Sequence, residues 1–492
     1  MKKFKYIYIA FFSSLLLLSS SCEKFYDINK DPDAILQAPL STILTSTTVN
    51  IGYFSGSDLN RFSLLIMQQY SGQSVGTLNQ TQEYDKYLIT GNDSNNLFST
   101  AYANILTDLE TIITKATAEG SPNYSGVAKI LKAYMYQTLV DAYGDLPYSE
   151  AIKFTGNVAP KYDKDEQIYK NIVTLLNEGI TEVNATTSVQ VPGTNSTIFP
   201  GTFSTTRTNW VKFANTLKLR IFLHYSEKDA AFVTTQMNAL IAANAPFMAS
   251  NSDNFQMNFI NASGAKNPID QFESSRANYL VAGDKIVNLM NGNSKNDPRS
   301  AFYFSPFATA PTYRGAVVGA ASNATLYSKL YTYLRGATLT ATTFTGSAPI
   351  RMLTFAEYNF IRAEAALRFG VTGVAQTFFT AGITASMTDA GVTTGNQATY
   401  LLANGTLVGT PAQQLQQIIQ EKYVASYGVN MEAWTDWRRT GYPVLTIPTN
   451  AVITFTPRSL YYPQSEVDTN PNIPTGKQKA TLGTRVFWDT RP

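Results

Sequence analysis

The sequence predicts a mainly α-helical protein in which helix pairs form a single large scaffold with long irregular loops. Three observations lead there. Apolar residues recur at intervals of three and four in segment after segment, the spacing that lines up one face of an α-helix. These segments tend to come in pairs with small residues at the turn. Between the helical blocks lie stretches rich in Asn, Thr, Gly and Ser, longer than ordinary connections.

In chain order, Glu23 to Pro39 is polar and turn-rich, with Asp27, Asn29, Asp31, Pro32 and Asp33, and reads as an extended arm. Leu59, Phe62, Leu65 and Ile66 follow helical spacing within Asp58–Tyr70, and a longer helix is expected over Asn95–Ala118. The clearest helix is Gly126–Tyr143, where Val127, Ile130, Leu131, Tyr134, Thr138 and Leu139 form one stripe. Gly144 is placed to end it, and Pro147 cannot continue it. A second helix is expected to start near Pro147, with Ser149 and Glu150. Further helical patterns cover Asp163–Val183, Trp210–Tyr225, Asp229–Ala242, Asn278–Met290, Thr354–Gly370, Thr372–Met387 and Pro411–Tyr427.

Pairing with small turn residues is the signature of a repeat array, in which neither helix of a unit buries its apolar face alone. Two segments, near 128–152 and 355–387, resemble tetratricopeptide units, the second through Tyr358, Ala363, Ala365, Gly373, Ala375 and Ile383. The irregular stretches are Asn184–Thr208, Asn291–Pro349, Gly391–Thr410 and Pro443–Pro492. On a rigid scaffold, such long loops are where recognition is expected.

Composition narrows the chemistry. Of 492 residues, 15% are charged and 44% hydrophobic, with 29 Tyr, 28 Phe, one Cys and one His. One Cys cannot form an internal disulfide, and one His with one Cys cannot build a His/Cys zinc site. No cofactor or metal is expected. A net charge of +3 with no basic run argues against nucleic acid as a partner. Tyrosine pairs a packing ring with a hydroxyl, so a Tyr-rich, weakly charged surface suits neutral polar ligands.

The N-terminus reads as an export signal over residues 1–21: Lys2, Lys3 and Lys5 precede an apolar run from Tyr6 to Leu18, then Ser19 to Ser21. That run is shorter than the roughly 20 residues a spanning helix needs. Cys22, the sole cysteine, stands where cleavage is expected, and the site resembles a bacterial lipoprotein lipobox. Cys22 would become the acylated first residue, anchoring residues 22–40 as a lipidated arm ahead of a helical domain over 41–492. Signal removal takes three of the 38 basic residues and no acid, leaving the bases equal to the 35 acids.

Several segments then carry a family resemblance: Tyr26 to Asp33 after the anchor; Asp141-Ala142-Tyr143-Gly144-Asp145-Leu146-Pro147-Tyr148; Trp210 to Asn215; Glu421-Lys422-Tyr423; Glu432 to Pro443 with Trp434-Thr435-Asp436-Trp437-Arg438-Arg439-Thr440-Gly441-Tyr442-Pro443; and Tyr462 to Glu466. In this order, behind a lipobox, they resemble the SusD/RagB family of nutrient-binding outer-membrane lipoproteins, most closely its SusD-like branch. The resemblance implies a helical scaffold lying as a lid over a SusC-like TonB-dependent outer-membrane transporter, catching oligosaccharide or another small neutral nutrient. It implies lipid anchoring at the surface of a Gram-negative outer membrane and no catalysis. The family's glycan contacts vary with ligand, so no contact residue transfers by motif.

The shared motif residues are read as structural. Trp434 and Trp437 lie three apart and share a helix face, and Arg438 and Arg439 are expected to pair with Asp436 or Glu432 or to cap the helix before Gly441. His224 is expected to hydrogen-bond locally, and Asp141 with Asp145 to serve a helix end and turn. Ligand contacts are sought among aromatics in irregular surroundings: Tyr53 and Phe54 beside Gly52 and Gly56; Tyr84 and Tyr87 in an Asn/Thr/Gln-rich stretch; and Tyr303, Phe304, Phe307 and Tyr313, with Arg314, in the long central loop. A sugar ring asks for an aromatic plane flanked by hydrogen-bonding groups. Two alternatives stay open: a surface glycoside hydrolase, which needs only a carboxylate pair, and the peptide-binding lid of a peptide transporter.

Overall fold

The computed structural model describes residues 38–73, 79–153, 156–320, 323–474 and 481–491. The export signal, Cys22 and nearly all of the arm lie outside the described residues. Leu40–Pro492 clusters as one compact unit. Its helices are α1 (Leu40–Gly56), α2 (Asp58–Ile66), α3 (Gln80–Asp85), α4 (Gly91–Ser99), α5 (Thr107–Ala118), α6 (Pro122–Tyr143), α7 (Asp165–Val183), α8 (Phe203–His224), α9 (Ala230–Ala242), α10 (Pro268–Ser275), α11 (Asp284–Asn291), α12 (Ser300–Tyr303), α13 (Thr332–Arg335), α14 (Phe355–Phe369), α15 (Ala375–Ala390), α16 (Thr394–Asn404), α17 (Pro411–Ala425), α18 (Glu432–Thr440) and α19 (Gln464–Thr469). A π-helical turn, Thr100–Leu106, joins α4 to α5.

The helix ends follow from local chemistry. Pro122 opens α6, where a missing N–H costs nothing, and Gly144 closes it at φ +84°, as the sequence predicts. Thr354 caps α14 by accepting the Glu357 N–H at 3.1 Å, and left-handed Gly370 ends it. Thr410 and Gln413 cap α17 reciprocally. Helix α6 is buried on nearly every side and packs between α5 and α7. Its crossing with α7 is glycine on glycine: a Cβ on Gly126 would lie 2.7 Å from the Gly179 carbonyl oxygen. Helices α8 and α9, α14 and α15, and α14 and α17 pack similarly. Three short antiparallel pairs pin the loops to this scaffold: Tyr70–Gly72 with Leu280–Ala282, Leu146–Pro147 with Tyr162–Asp163, and Phe255–Met257 with Ile350–Leu353.

Four expectations need correction. No helix starts at Pro147: Leu146–Pro147 is a strand, and the Asp163 carboxylate accepts the N–H groups of Tyr148 and Ser149. The partner of α6 is therefore α7, beyond the 128–152 segment. Helix α1 falls where no helix was expected, because its Thr and Ser residues mask the apolar stripe. Thr45, Thr47 and Thr48 donate their hydroxyls back to Ser41, Ile43 and Leu44 carbonyls, so they enter a packed helix without stranded polar groups. Asn278–Met290 is split into a strand at Leu280–Ala282 and α11. Gly391–Thr410 carries α16, capped by Thr393.

Some of the charge lies inside the core as a connected set. Arg220 lies 2.7 Å from Glu357 and 3.3 Å from Glu432; Lys422 lies 2.9 Å from Glu432 and 2.8 Å from Asp436; Arg439 lies 2.6 Å from Asp436 and 2.9 Å from Glu364. This alternating chain joins α8, α14, α17 and α18, and all its members are buried. Trp434 is buried and donates to the Pro457 carbonyl at 2.8 Å; Trp437 is also in the core. Arg439 pairs with Asp436 as expected. Arg438 differs: it donates to the Asp141 and Arg458 carbonyls and sits 4.4 Å and 4.6 Å from the Trp434 and Trp488 rings. His224 shares a 2.8 Å hydrogen bond with the Tyr169 hydroxyl of α7, 55 residues away, where a local bond was expected.

Candidate functional site

The sequence-predicted contact residues differ in exposure. Phe54, Tyr84, Tyr87 and Tyr303 are buried, with ring faces turned to protein. Tyr84 packs 4.6 Å from Phe62 and donates to Asp93 at 2.8 Å. Tyr303 stacks 4.6 Å from Tyr427, with Tyr333 at 4.7 Å and buried Phe304 alongside. Tyr53 and Phe54 belong to α1 rather than a loop, and the Tyr53 hydroxyl donates to the Gly264 carbonyl at 3.0 Å. Tyr313 and Arg314 stay half-exposed. The Arg314 guanidinium lies 4.1 Å over Phe307 and bonds Thr309, while Tyr313 leans on Phe304. The structure thus groups Tyr303, Phe304, Phe307, Tyr313 and Arg314 and leaves the other pairs apart.

A different surface offers room. Helix α15 presents Gln376, Thr380, Thr384 and Thr388 at intervals of four, beside Thr377 and Ala381, and faces the Ser250–Ser252 loop across a groove of about 860 Å³ with Phe355 in its wall. The Thr380 and Thr384 hydroxyls donate to the Gln376 and Thr380 carbonyls, which leaves methyl groups and oxygen lone pairs to line the groove. Phe355 is half-exposed and held by a stack: Tyr358 lies at 6.0 Å and 14° to it, and Phe247 at 5.8 Å from Tyr358.

Asn251 and Ser252 also border a second hollow of about 320 Å³, lined by Phe199, Thr206, Asn209, Asn254, Gln256 and Asn258. The two hollows thus adjoin at Asn251 and Ser252 and together make an interrupted track. Its amides are fixed: Asn251 donates to the Ala385 carbonyl at 2.9 Å, Asn254 accepts the Phe355 N–H at 2.8 Å, and Asn209 donates to Asp253 at 3.1 Å. Asp253 is itself neutralised by Lys212 at 3.0 Å. Among the described residues, none that lines either hollow is charged. Hydroxyls, amides and the half-exposed Phe355 ring around an uncharged track can meet both the hydroxyl edges and the C–H faces of a sugar. Sequence reasoning sought aromatics in loops and missed the track, although the uncharged i, i+4 stripe Gln376-Thr380-Thr384-Thr388 is visible in the sequence.

Among the described residues, no cluster of His, Cys, Asp and Glu could hold a metal ion, and no helix is long and apolar enough to cross a membrane.

Fold and track define the class, a helical scaffold with an uncharged surface groove. The chain belongs to the SusD-like family, whose model, described as starch-binding and associating with the outer membrane, matches residues 32–463. Among solved structures, a chitin-binding protein matches with a TM-score of 0.77 at 25% identity, over 92% of this chain and 100% of its own. A chitin-binding SusD homologue from Flavobacterium johnsoniae matches at 0.76 and 23%, over 92% and 99%. A SusD homologue from Bacteroides fragilis matches at 0.75 and 23%, over 93% and 100%. No curated protein matches the sequence significantly.

Proposed function

We propose that the protein is a cell-surface lipoprotein, anchored through acylated Cys22, that captures neutral oligosaccharide and delivers it intact to a SusC-like TonB-dependent transporter of the outer membrane. The observation that carries this reading is the uncharged track of adjoining hollows along α15 and residues 250–258. Membership of a family described as starch-binding, and likeness to a chitin-binding protein at 25% identity, support a glycan as ligand. A glycosidase would need two carboxylates flanking the bond to be cut; the described lining of the track offers none, so the track is read as a place of capture. Binding in so open a groove leaves little surplus after ordering costs, and micromolar or weaker affinity is expected.

Phe355 and Tyr313 separate the two candidate surfaces. Phe355→Ala is expected to weaken oligosaccharide binding about 3- to 10-fold, the worth of one stacked ring. Tyr313→Ala and Arg314→Ala are expected to leave affinity unchanged in the same affinity-electrophoresis series. The reverse pattern would move the site to the 305–331 loop.

A further inference from the structure

Helices α7, α8 and α9 border a separate, solvent-open cavity of about 510 Å³ that shares no described lining residue with the track. Lys218 of α8 lines it and is only 5% exposed. Its ammonium donates to the Asn177 side-chain oxygen at 3.0 Å. An ammonium has three donors, and among the described residues no carboxylate pairs with this one. Arg220, on the same helix, and Lys422, Arg439 and Arg299 are equally buried, yet each faces carboxylates within 3 Å. Burial pushes the Lys218 amine down to about 8, with no charged neighbour to offset it. The cavity wall around it carries Asn177, Thr181, Asn184, Thr208 and Asn215, and its remaining lining is apolar. No residue of that lining other than Lys218 titrates near neutrality, on α7, α8, α9 or the turn after α9.

We propose that this cavity binds a small carboxylate-bearing molecule, with an acidic monosaccharide as the class that fits its walls: the carboxylate supplies the counter-charge Lys218 lacks, and the ring hydroxyls meet the surrounding amides and threonines. The volume lies within the usual range for small-ligand sites. The inference does not depend on what the track binds.

Calorimetric titration of the full chain with glucuronate, glucose, acetate and inorganic phosphate tests it. Glucuronate is expected to bind saturably and glucose not at all, and Lys218→Met is expected to lose at least tenfold in affinity. The unaltered protein provides a second readout in case that variant does not fold. Glucuronate affinity should be flat below about pH 8 and fall about tenfold per unit above it, as the ammonium loses its proton. Equal binding of glucose, acetate or phosphate, no saturable binding of glucuronate, retention of affinity in a folded Lys218→Met, or a flat profile from pH 7 to 10 would each overturn the proposal.

Discussion

Arg439→Ala is expected to lower stability by about 3–5 kcal/mol, measured by denaturant unfolding, while leaving the track intact. The side chain is fully buried and holds Glu364 through two hydrogen bonds, at 2.9 Å and 3.0 Å, together with Asp436 at 2.6 Å and the Ser226 hydroxyl at 2.7 Å. Truncation leaves Arg368 as the cation beside Glu364 and Lys422 as the cation beside Asp436. Both carboxylates would then be buried with less than their full complement of charge. Solvating them requires opening the core where α14 packs on α17 and is tied to α18. The Trp-Thr-Asp-Trp-Arg-Arg segment thus serves as the junction that fixes α8, α14, α17 and α18 to one another. A variant that loses ligand affinity without losing stability would contradict that assignment.

Stability is expected to fall at both ends of the pH range, for two different reasons. Burial alone would raise the Glu364 carboxyl, but Arg439 and Arg368 outweigh it and hold the group down to about 2; Lys295 and Arg299 do the same for Glu421. A carboxyl whose folded pKa lies below its unfolded value stabilises fully above that unfolded value, near 4.5. The contribution shrinks as pH falls towards 2 and is gone below it, at about 3 kcal/mol for each group. Asp85 and Glu273 run the other way, because burial raises them to about 7 and about 8. Their contribution is fully present only below their unfolded values, near 4, shrinks as pH rises from there, and is gone above about 7 and about 8. Asp85 accepts the Gly319 N–H at 2.7 Å and the Ser71 hydroxyl at 3.1 Å, bonds that an amide oxygen can keep. Asp85→Asn is therefore expected to unfold like the parent near pH 4 and to be more stable by about 4 kcal/mol above pH 8. Equal stability of the two at pH 9 would refute the assignment.

The helices α6, α14, α15 and α17 were legible because their apolar stripes are bounded by real stop signals, among them Gly144 and Gly370. Helix α1 was not, because back-bonded threonines make a buried helix read as a polar loop. The segment after Gly144 was misread because a distant carboxylate, Asp163, decides its backbone, and no local pattern records that. The family motifs pointed correctly to structural roles: Trp434 and Trp437 share one helix face and are buried, and Arg439, on the opposite side of the same helix, is buried against Glu364 and Asp436. The track was hidden for a physical reason. A site for an uncharged ligand needs no perturbed titratable group, and its threonines and amides resemble any solvated surface until the Ser250–Ser252 loop is folded against α15.

The central claim is that the uncharged track captures neutral glycan and leaves it intact. Calorimetry against a panel of neutral oligosaccharides, with reducing ends assayed in the same samples, tests it most directly. The account predicts saturable, micromolar or weaker binding of at least one oligosaccharide, weakened in Phe355→Ala, with no new reducing ends. Release of reducing sugar, or binding that Phe355→Ala leaves unchanged, would contradict it.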